Sequence, residues 1–161
     1  MKKITILLLM CFPVFSQEYK VPPEVIKSLI EADPQPIISF NDDGSLGLVL
    51  NSDGYQSIDD LAKDELRVAG TRLDPVRYTS SRMRYYKSFS LLETKTGEEI
   101  EVEYPENGKF SFFQWSPNEE KIAFTNTTNS GVELWIVDVN SRKSSKVIET
   151  HVNDILNSPF Q

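Results

Sequence analysis

The segment Arg67–Lys87 carries six cations, Arg67, Arg72, Arg77, Arg82, Arg84 and Lys87, and one acid, Asp74. The rest of the chain is acidic: 24 Asp and Glu against 17 Lys and Arg leave a formal net charge of −7. A guanidinium presents paired N–H donors that match the two oxygens of a carboxylate. The chemistry this cluster offers is therefore recognition of an anionic side chain, with Arg72, Arg82 and Arg84 as candidate residues. The competing reading is that these arginines pair with nearby acids or face solvent. The acidic balance argues against general nucleic-acid binding, which needs a broad basic footprint.

Other reactive residues are sparse. His151 is the single histidine, and a Ser-His-Asp mechanism needs a histidine beside its nucleophile. No G-x-S-x-G elbow occurs; Gly44-Ser45-Leu46-Gly47 has the wrong spacing and falls in a predicted hairpin. No catalytic residue is assigned. Asp42-Asp43-Gly44 has the start of a calcium loop without its later ligands or closing glutamate, so turn chemistry is the better account. Asn126-Thr127-Thr128 matches a glycosylation sequon. The sequence has no glycine-rich phosphate loop and no metal-ligand cluster, so neither metal nor cofactor is expected.

The first residues, MKKITILLLMCFPVFSQ, read as a secretory signal peptide over 1–16: Lys2 and Lys3, an apolar run, then Ser16 before the cut. The run is about a dozen residues, short of the roughly 20 that a spanning helix needs. Cleavage after Ser16 would remove Cys11, the sole cysteine, and move the charge to −9. The expected product is periplasmic or secreted, free of disulfides and not membrane-bound.

An N-terminal arm follows over 17–36. Pro22 and Pro23 open a short helix, Pro23–Ala32, in which Val25, Ile26, Leu29 and Ile30 take helical spacing; Pro34 and Pro36 stop it. From Ile37 the pattern changes to strands. Ile37–Phe40, the turn Asn41–Gly44 and Leu46–Leu50 form a hairpin on a strong Asp-Gly turn. FQWSPNEEKIAFT, Phe113–Thr125, repeats it: Phe40 aligns with Trp115, Gly44 with Glu119, and Val49 with Phe124. The second copy continues through strands at Val132–Val139 and Ser145–Glu149. The first is completed by SFSLLETKTGEEIEVEY, Ser88–Tyr104, with a turn at Thr96-Gly97. Four short strands in about forty residues match one blade of a β-propeller. The expected fold is all-β, a partial propeller of about two four-stranded antiparallel blades. The first blade spans 37–109 with an insertion at 51–87, the second spans 110–150, and 151–161 begins another, truncated. Within the insertion, Ile58, Leu61, Ala62 and Leu66 suggest a short helix after Ser57.

Several segments together resemble the start of secreted bacterial peptidases of the prolyl oligopeptidase family, in its glutamyl endopeptidase-like branch. They are YKVPPEVIKSLIEADPQP, SFNDDGSLGLVL, SIDDLAKDELRVAGTRLDP, FQWSPNEEKIAFT with ELWIVDVNSRK, and HVNDILNSPFQ. The segment from Ser57 to Arg72 is the most specific of these. The resemblance implies a propeller that filters peptide substrates ahead of a C-terminal α/β-hydrolase domain, its partner within a longer protein. That domain would carry the catalytic triad, so this chain alone would be inactive. The alternative is a stand-alone periplasmic TolB-like propeller module that works through protein contacts; the hairpin repeats fit both.

Overall fold

The structure, a computed structural model, describes residues 20–160. The predicted signal peptide lies outside the described residues. The described chain divides into an N-terminal unit that ends at Glu31 and a second unit that begins at Ala32. The first unit contains helix α1, Glu24–Glu31, in the place that the two prolines and the apolar spacing predict. Its apolar side chains, Val25, Ile26, Leu29 and Ile30, are exposed.

The second unit is all-β with one short helix. Its elements are β1 (Ile37–Phe40), β2 (Leu46–Ser52), α2 (Ile58–Leu61), β3 (Leu66–Val68), β4 (Thr71–Asp74) and β5 (Thr79–Ser80). Then follow β6 (Tyr86–Glu93), β7 (Glu98–Glu101), β8 (Phe110–Trp115), β9 (Lys121–Thr127), β10 (Val132–Asp138) and β11 (Lys143–Lys146). Strands β1-β2-β6-β7 form one antiparallel meander and β8-β9-β10-β11 a second. The pair Tyr86 and Phe110 links their ladders, and Glu103, just past β7, bridges in parallel to Lys143 of β11.

The meanders are copies in detail. In the first turn, the Gly44 N–H donates to Asn41 O (3.1 Å); in the second, the Glu119 N–H donates to Ser116 O (2.8 Å). Asn41 Oδ1 accepts the Leu46 N–H at 2.9 Å, and Ser116 Oγ accepts the Lys121 N–H at 3.0 Å. Gly44 and Glu119 both take left-handed φ, 69° and 57°. The later hairpins match as well: Gly97 N–H donates to Glu93 O and Arg142 N–H to Asp138 O, each at 2.8 Å. Because this loop closes early, β11 starts at Lys143 rather than at the expected Ser145.

A glutamate at a left-handed position is unfavourable, since its Cβ crowds the following carbonyl. Its side chain gives the reason for it. The Glu119 carboxylate accepts the Asp42 backbone N–H (2.7 Å) and the Asn41 side-chain amide (2.9 Å), so one turn clamps the other.

The core lies between the meanders. Leu48, Leu50, Phe89 and Leu91 of the first face Phe110, Ile122, Phe124 and Val137 of the second. Phe89 sits 5.1 Å from Phe124, 5.4 Å from Phe110 and 4.9 Å from Phe113, all edge to face. Each such pair adds about 0.5–1.5 kcal/mol beyond its buried area. Trp115 and Trp135 pack against it half-buried.

The insertion departs from expectation in one respect. Its helix is a single turn, capped by Ser57, whose Oγ accepts the Asp60 N–H. Leu66, expected on that helix, instead opens a small three-stranded sheet, β3-β4-β5. The hairpin between β3 and β4 turns at Ala69-Gly70, both at positive φ, a short turn that periodicity alone does not flag.

Phe124→Ala should cost about 3–5 kcal/mol, because it empties a site walled by four aromatic rings. Glu119→Ala should cost about 1–2 kcal/mol for the lost turn-to-turn bonds. Glu119→Gly should cost clearly less, since glycine removes the left-handed strain. Urea unfolding of the three variants checks this; equal midpoints for Glu119→Ala and wild type would remove the clamp from the account.

Candidate functional site

In the second meander β9 and β10 are joined by the short link 128–131; in the first, the matching link is the whole insertion between β2 and β6. The insertion is anchored on that short link. Arg77 donates from Nε to Thr128 O (2.9 Å) and from Nη2 to Asn129 Oδ1 (3.2 Å), while Nη1 pairs with Asp74 at 2.6 Å. Asp74 also accepts the backbone N–H groups of Val76 and Arg77. A second anchor is Asp60 on α2, which accepts Lys109 Nζ on both oxygens (2.6 and 2.7 Å) and also pairs with Lys63 and Ser57. Lys109 Nζ lies 5.7 Å from the Tyr85 ring centroid.

Between these anchors lies an open cleft of about 300 Å³. Ser81, Arg82, Lys63 and Asp64 line it on the insertion side, and Gly108 and Lys109 on the meander side. Three arginines converge on one acid at its rim. Glu65 accepts from Arg67 Nε (3.0 Å), Arg72 Nη1 (2.7 Å) and Ser81 Oγ (3.1 Å), and Arg82 Nε lies 3.3 Å away. Burial raises the Glu65 carboxyl, but the Arg67 and Ser81 bonds and the Arg72 and Arg82 charges outweigh it and hold the group below its usual range. Three guanidinium groups around one carboxylate leave two positive charges uncompensated. Arg82 takes a left-handed φ of 64° to reach this place, backbone strain of a kind that concentrates at functional sites.

The structure thus brings Arg72 and Arg82 together on Glu65. Arg84 is exposed and has no ion pair among the described residues. Lys87 closes the cluster on Asp33 (2.9 Å) and Asp53 (3.3 Å). Apart from Asp74, which pairs with Arg77, the basic segment draws its acids Glu65, Asp33 and Asp53 from outside itself. Glu65 and Lys109 were not singled out from the sequence; Glu65 lies just before the cluster, and only β3-β4 pairing folds Arg72 back over it.

Behind the cleft wall Asp154 is 1% exposed, and neither carboxylate oxygen has a hydrogen-bond partner among the described residues. Burial raises its carboxyl. Burial likewise raises the Tyr85 phenol nearby. Asp60 behaves oppositely: burial raises it, but the Lys109, Lys63 and Ser57 bonds prevail and hold it well below the ordinary carboxylate range.

The remaining sequence candidates resolve locally. His151 Nε2 lies 3.3 Å from Ser130 Oγ, but both are exposed and no acid orients the ring among the described residues. Asp43 Oδ1 accepts the Ser45 N–H, a turn contact. Asn126 of the sequon is buried in β9 and occupied with the Lys109 N–H and Glu133, so no glycan fits there in the folded chain. Among the described residues no group of three His, Cys, Asp or Glu could hold a metal, and no helix is long and apolar enough to cross a membrane.

Comparison with known proteins gives two relatives. The chain is 30% identical over 154 residues to a probable chloroplastic glutamyl endopeptidase of Oryza sativa subsp. japonica, covering 87% of this chain and 16% of that protein. It is 30% identical over 131 residues to the probable chloroplastic glutamyl endopeptidase of Arabidopsis thaliana, covering 75% of this chain and 14% of the relative. The chain therefore spans about a sixth of the length of the relatives it matches. No family model and no solved structure matches it. The similarity relates the chain to proteins with peptidase names.

Asp60 and Asp154 should tilt stability in opposite directions with pH. The Asp60 contribution is present above its ordinary value near 3.8 and lost as pH falls below it. Asp60→Asn should therefore destabilise at pH 7 and flatten the acid limb. Asp154 holds its proton more tightly when folded, so its contribution is lost as pH rises above 3.8. Asp154→Asn should stabilise at pH 7. Denaturant midpoints from pH 3 to 7 decide it; an Asp154→Asn variant less stable than wild type at pH 7 would mean the carboxylate has a partner in solution.

Proposed function

We propose that this chain is the N-terminal β-propeller portion of an exported serine peptidase of the prolyl oligopeptidase family, in its glutamyl endopeptidase-like branch. Its two meanders would be successive blades. They would gate the access of peptides to an α/β-hydrolase domain that supplies the nucleophile and base. The observation that carries this reading is the 30% identity, over most of the chain, to two plant proteins named as glutamyl endopeptidases. The matching turn geometry of the two meanders supports it, because a propeller is built from repeats of one four-stranded unit.

Within this reading the arginines around Glu65 would receive an acidic side chain. Arg72 binds Glu65 through Nη1, and Arg82 approaches it through Nε, so the remaining guanidinium donors of each are open to a second carboxylate. Arg84 would add its charge to the approach. Glu65 is then a resident counter-ion that keeps the arginines in place between substrates.

Reading the gene past codon 161 is the direct test. Continuation into further four-stranded repeats and then a G-x-S-x-G elbow with later Asp and His is the expected result; a stop followed by an unrelated gene would refute it. In the full-length enzyme, Arg72→Ala and Arg82→Ala should each raise KM for glutamate-containing peptides several-fold, with kcat little changed. Unchanged KM would return these arginines to a purely structural role.

A further inference from the structure

Among the described residues, the buried side-chain oxygens that lack a hydrogen-bond partner gather at one place: Thr79 Oγ1, Thr127 Oγ1 and both carboxylate oxygens of Asp154. These residues are 2%, 7% and 1% exposed. The topology brings them together. Thr79 lies on β5 of the insertion, paired with Asp74. Thr127 ends β9, opposite Val132 of β10. After β11 the chain returns past both. The Val152 N–H donates to Val132 O (2.8 Å), and the Asp154 N–H donates to Tyr78 O (3.3 Å), next to Thr79. The Tyr85 phenol lies among the same groups and feels the Thr79 and Thr127 hydroxyls and the Asp154 charge. Thr79, Thr127 and Tyr85 also line the cleft between insertion and meander.

A buried carboxylate needs a cation or a proton to offset its lost hydration. The nearby cations are committed elsewhere: Arg77 binds Asp74, Thr128 O and Asn129, and Lys109 binds Asp60. That leaves one acid in the group and no base. The donor set is one carboxylate and three neutral oxygens, hard ligands that suit a hard cation. It differs from the His, Cys, Asp and Glu groupings that hold transition metals, which are absent among the described residues. One carboxylate selects a single positive charge, since a divalent ion would leave the buried site net positive. An ordered water bridges hydroxyls and carboxylates well, but it leaves the charge uncompensated. The four oxygens are closed to solvent. A protein segment packed on the surface would not reach them, whereas a small ion admitted past Thr79 and Tyr85 would.

We propose that Asp154, Thr79 and Thr127, with the Tyr85 phenol, bind one monovalent alkali cation, sodium or potassium. The ion ties three segments together: β5 of the insertion, the end of β9 and the chain that follows β11. It is a third fastening of the insertion to the second meander, besides Arg77 on the 128–131 link and Asp60 on Lys109. A cation that binds only the folded chain stabilises it in proportion to the logarithm of its concentration above the dissociation constant. In a medium without such ions Asp154 is a buried acid with only a proton to neutralise it.

The test uses the whole chain at pH 7 and constant ionic strength, in choline chloride with sodium, potassium or calcium chloride exchanged in. In choline alone Asp154→Asn should have the higher thermal midpoint, because it buries no charge. Sodium or potassium should raise the wild-type midpoint by several degrees, narrowing or reversing that difference. Asp154→Asn should not respond. Thr79→Val, which removes one ligand and keeps the charge, should need a several-fold higher concentration of the same ion. As a readout independent of stability, the resonance of the effective ion, sodium-23 or potassium-39, should broaden with the wild type and not with Asp154→Asn. Equal wild-type midpoints in choline and in both alkali salts overturn the proposal and leave Asp154 to a proton or a buried water. So do an equal response in Asp154→Asn, which is a general salt effect, and a response confined to calcium.

Discussion

The structure depends on the contact of Phe89 with Phe110, Phe113 and Phe124. An antiparallel meander of four short strands has two faces and cannot bury both by itself. The hydrophobic side chains of β2 and β6 leave water only because β8 and β9 lie across them. The ring geometry then sets the distance and angle of approach. The remaining interactions fix details of a contact that this aromatic cluster establishes. The Glu119 clamp aligns the two first turns, and the Glu103 backbone pair aligns the outer edges. Neither supplies comparable apolar area.

The insertion is held by different physics. It has little apolar core: Leu66, Val68 and Val76 are exposed. Its place is determined by ion pairs that run to the meanders, chiefly Arg77 to the 128–131 link and Asp60 to Lys109. A segment fixed by directional charge contacts keeps its charged surface available, whereas one fixed by burial would not. The same segment gathers Arg67, Arg72 and Arg82 around Glu65. The arrangement is a cluster of charged side chains on a loop carried by a repeat scaffold, and loops on such scaffolds are where function commonly resides.

Repetition links the fold to its open surfaces. A repeat that packs front to back has no natural end within itself, so each repeat presents one face to each neighbour. Matched pairs such as Val102 and Val147 differ in burial although both are valine, so position in the stack, not composition, decides what is covered.

Much of this was legible in the order of residues. The Asp43-Gly44 and Pro117-Asn118 turns, the strands flanking them, the proline-bounded helix and the likeness of the two hairpins follow from local preferences, because φ limits and side-chain alternation act over a few residues. The boundary of β11 and the strands β3-β5 did not follow, since short turns at Ala69-Gly70 and Ser141-Arg142 leave weak periodic signals. The Arg67–Lys87 cluster was visible as charge, but its organisation was not. Which arginines share an acid depends on β3-β4 pairing, and the acid lies outside the run. The left-handed Glu119 looks like a poor turn residue until its carboxylate is seen to hold another turn 77 residues away in the chain. The sequence by itself determined what most segments are: strand, turn, helix or charged loop. The tertiary structure alone decided which faces meet and which charges pair, because those contacts join residues whose separation no local rule encodes.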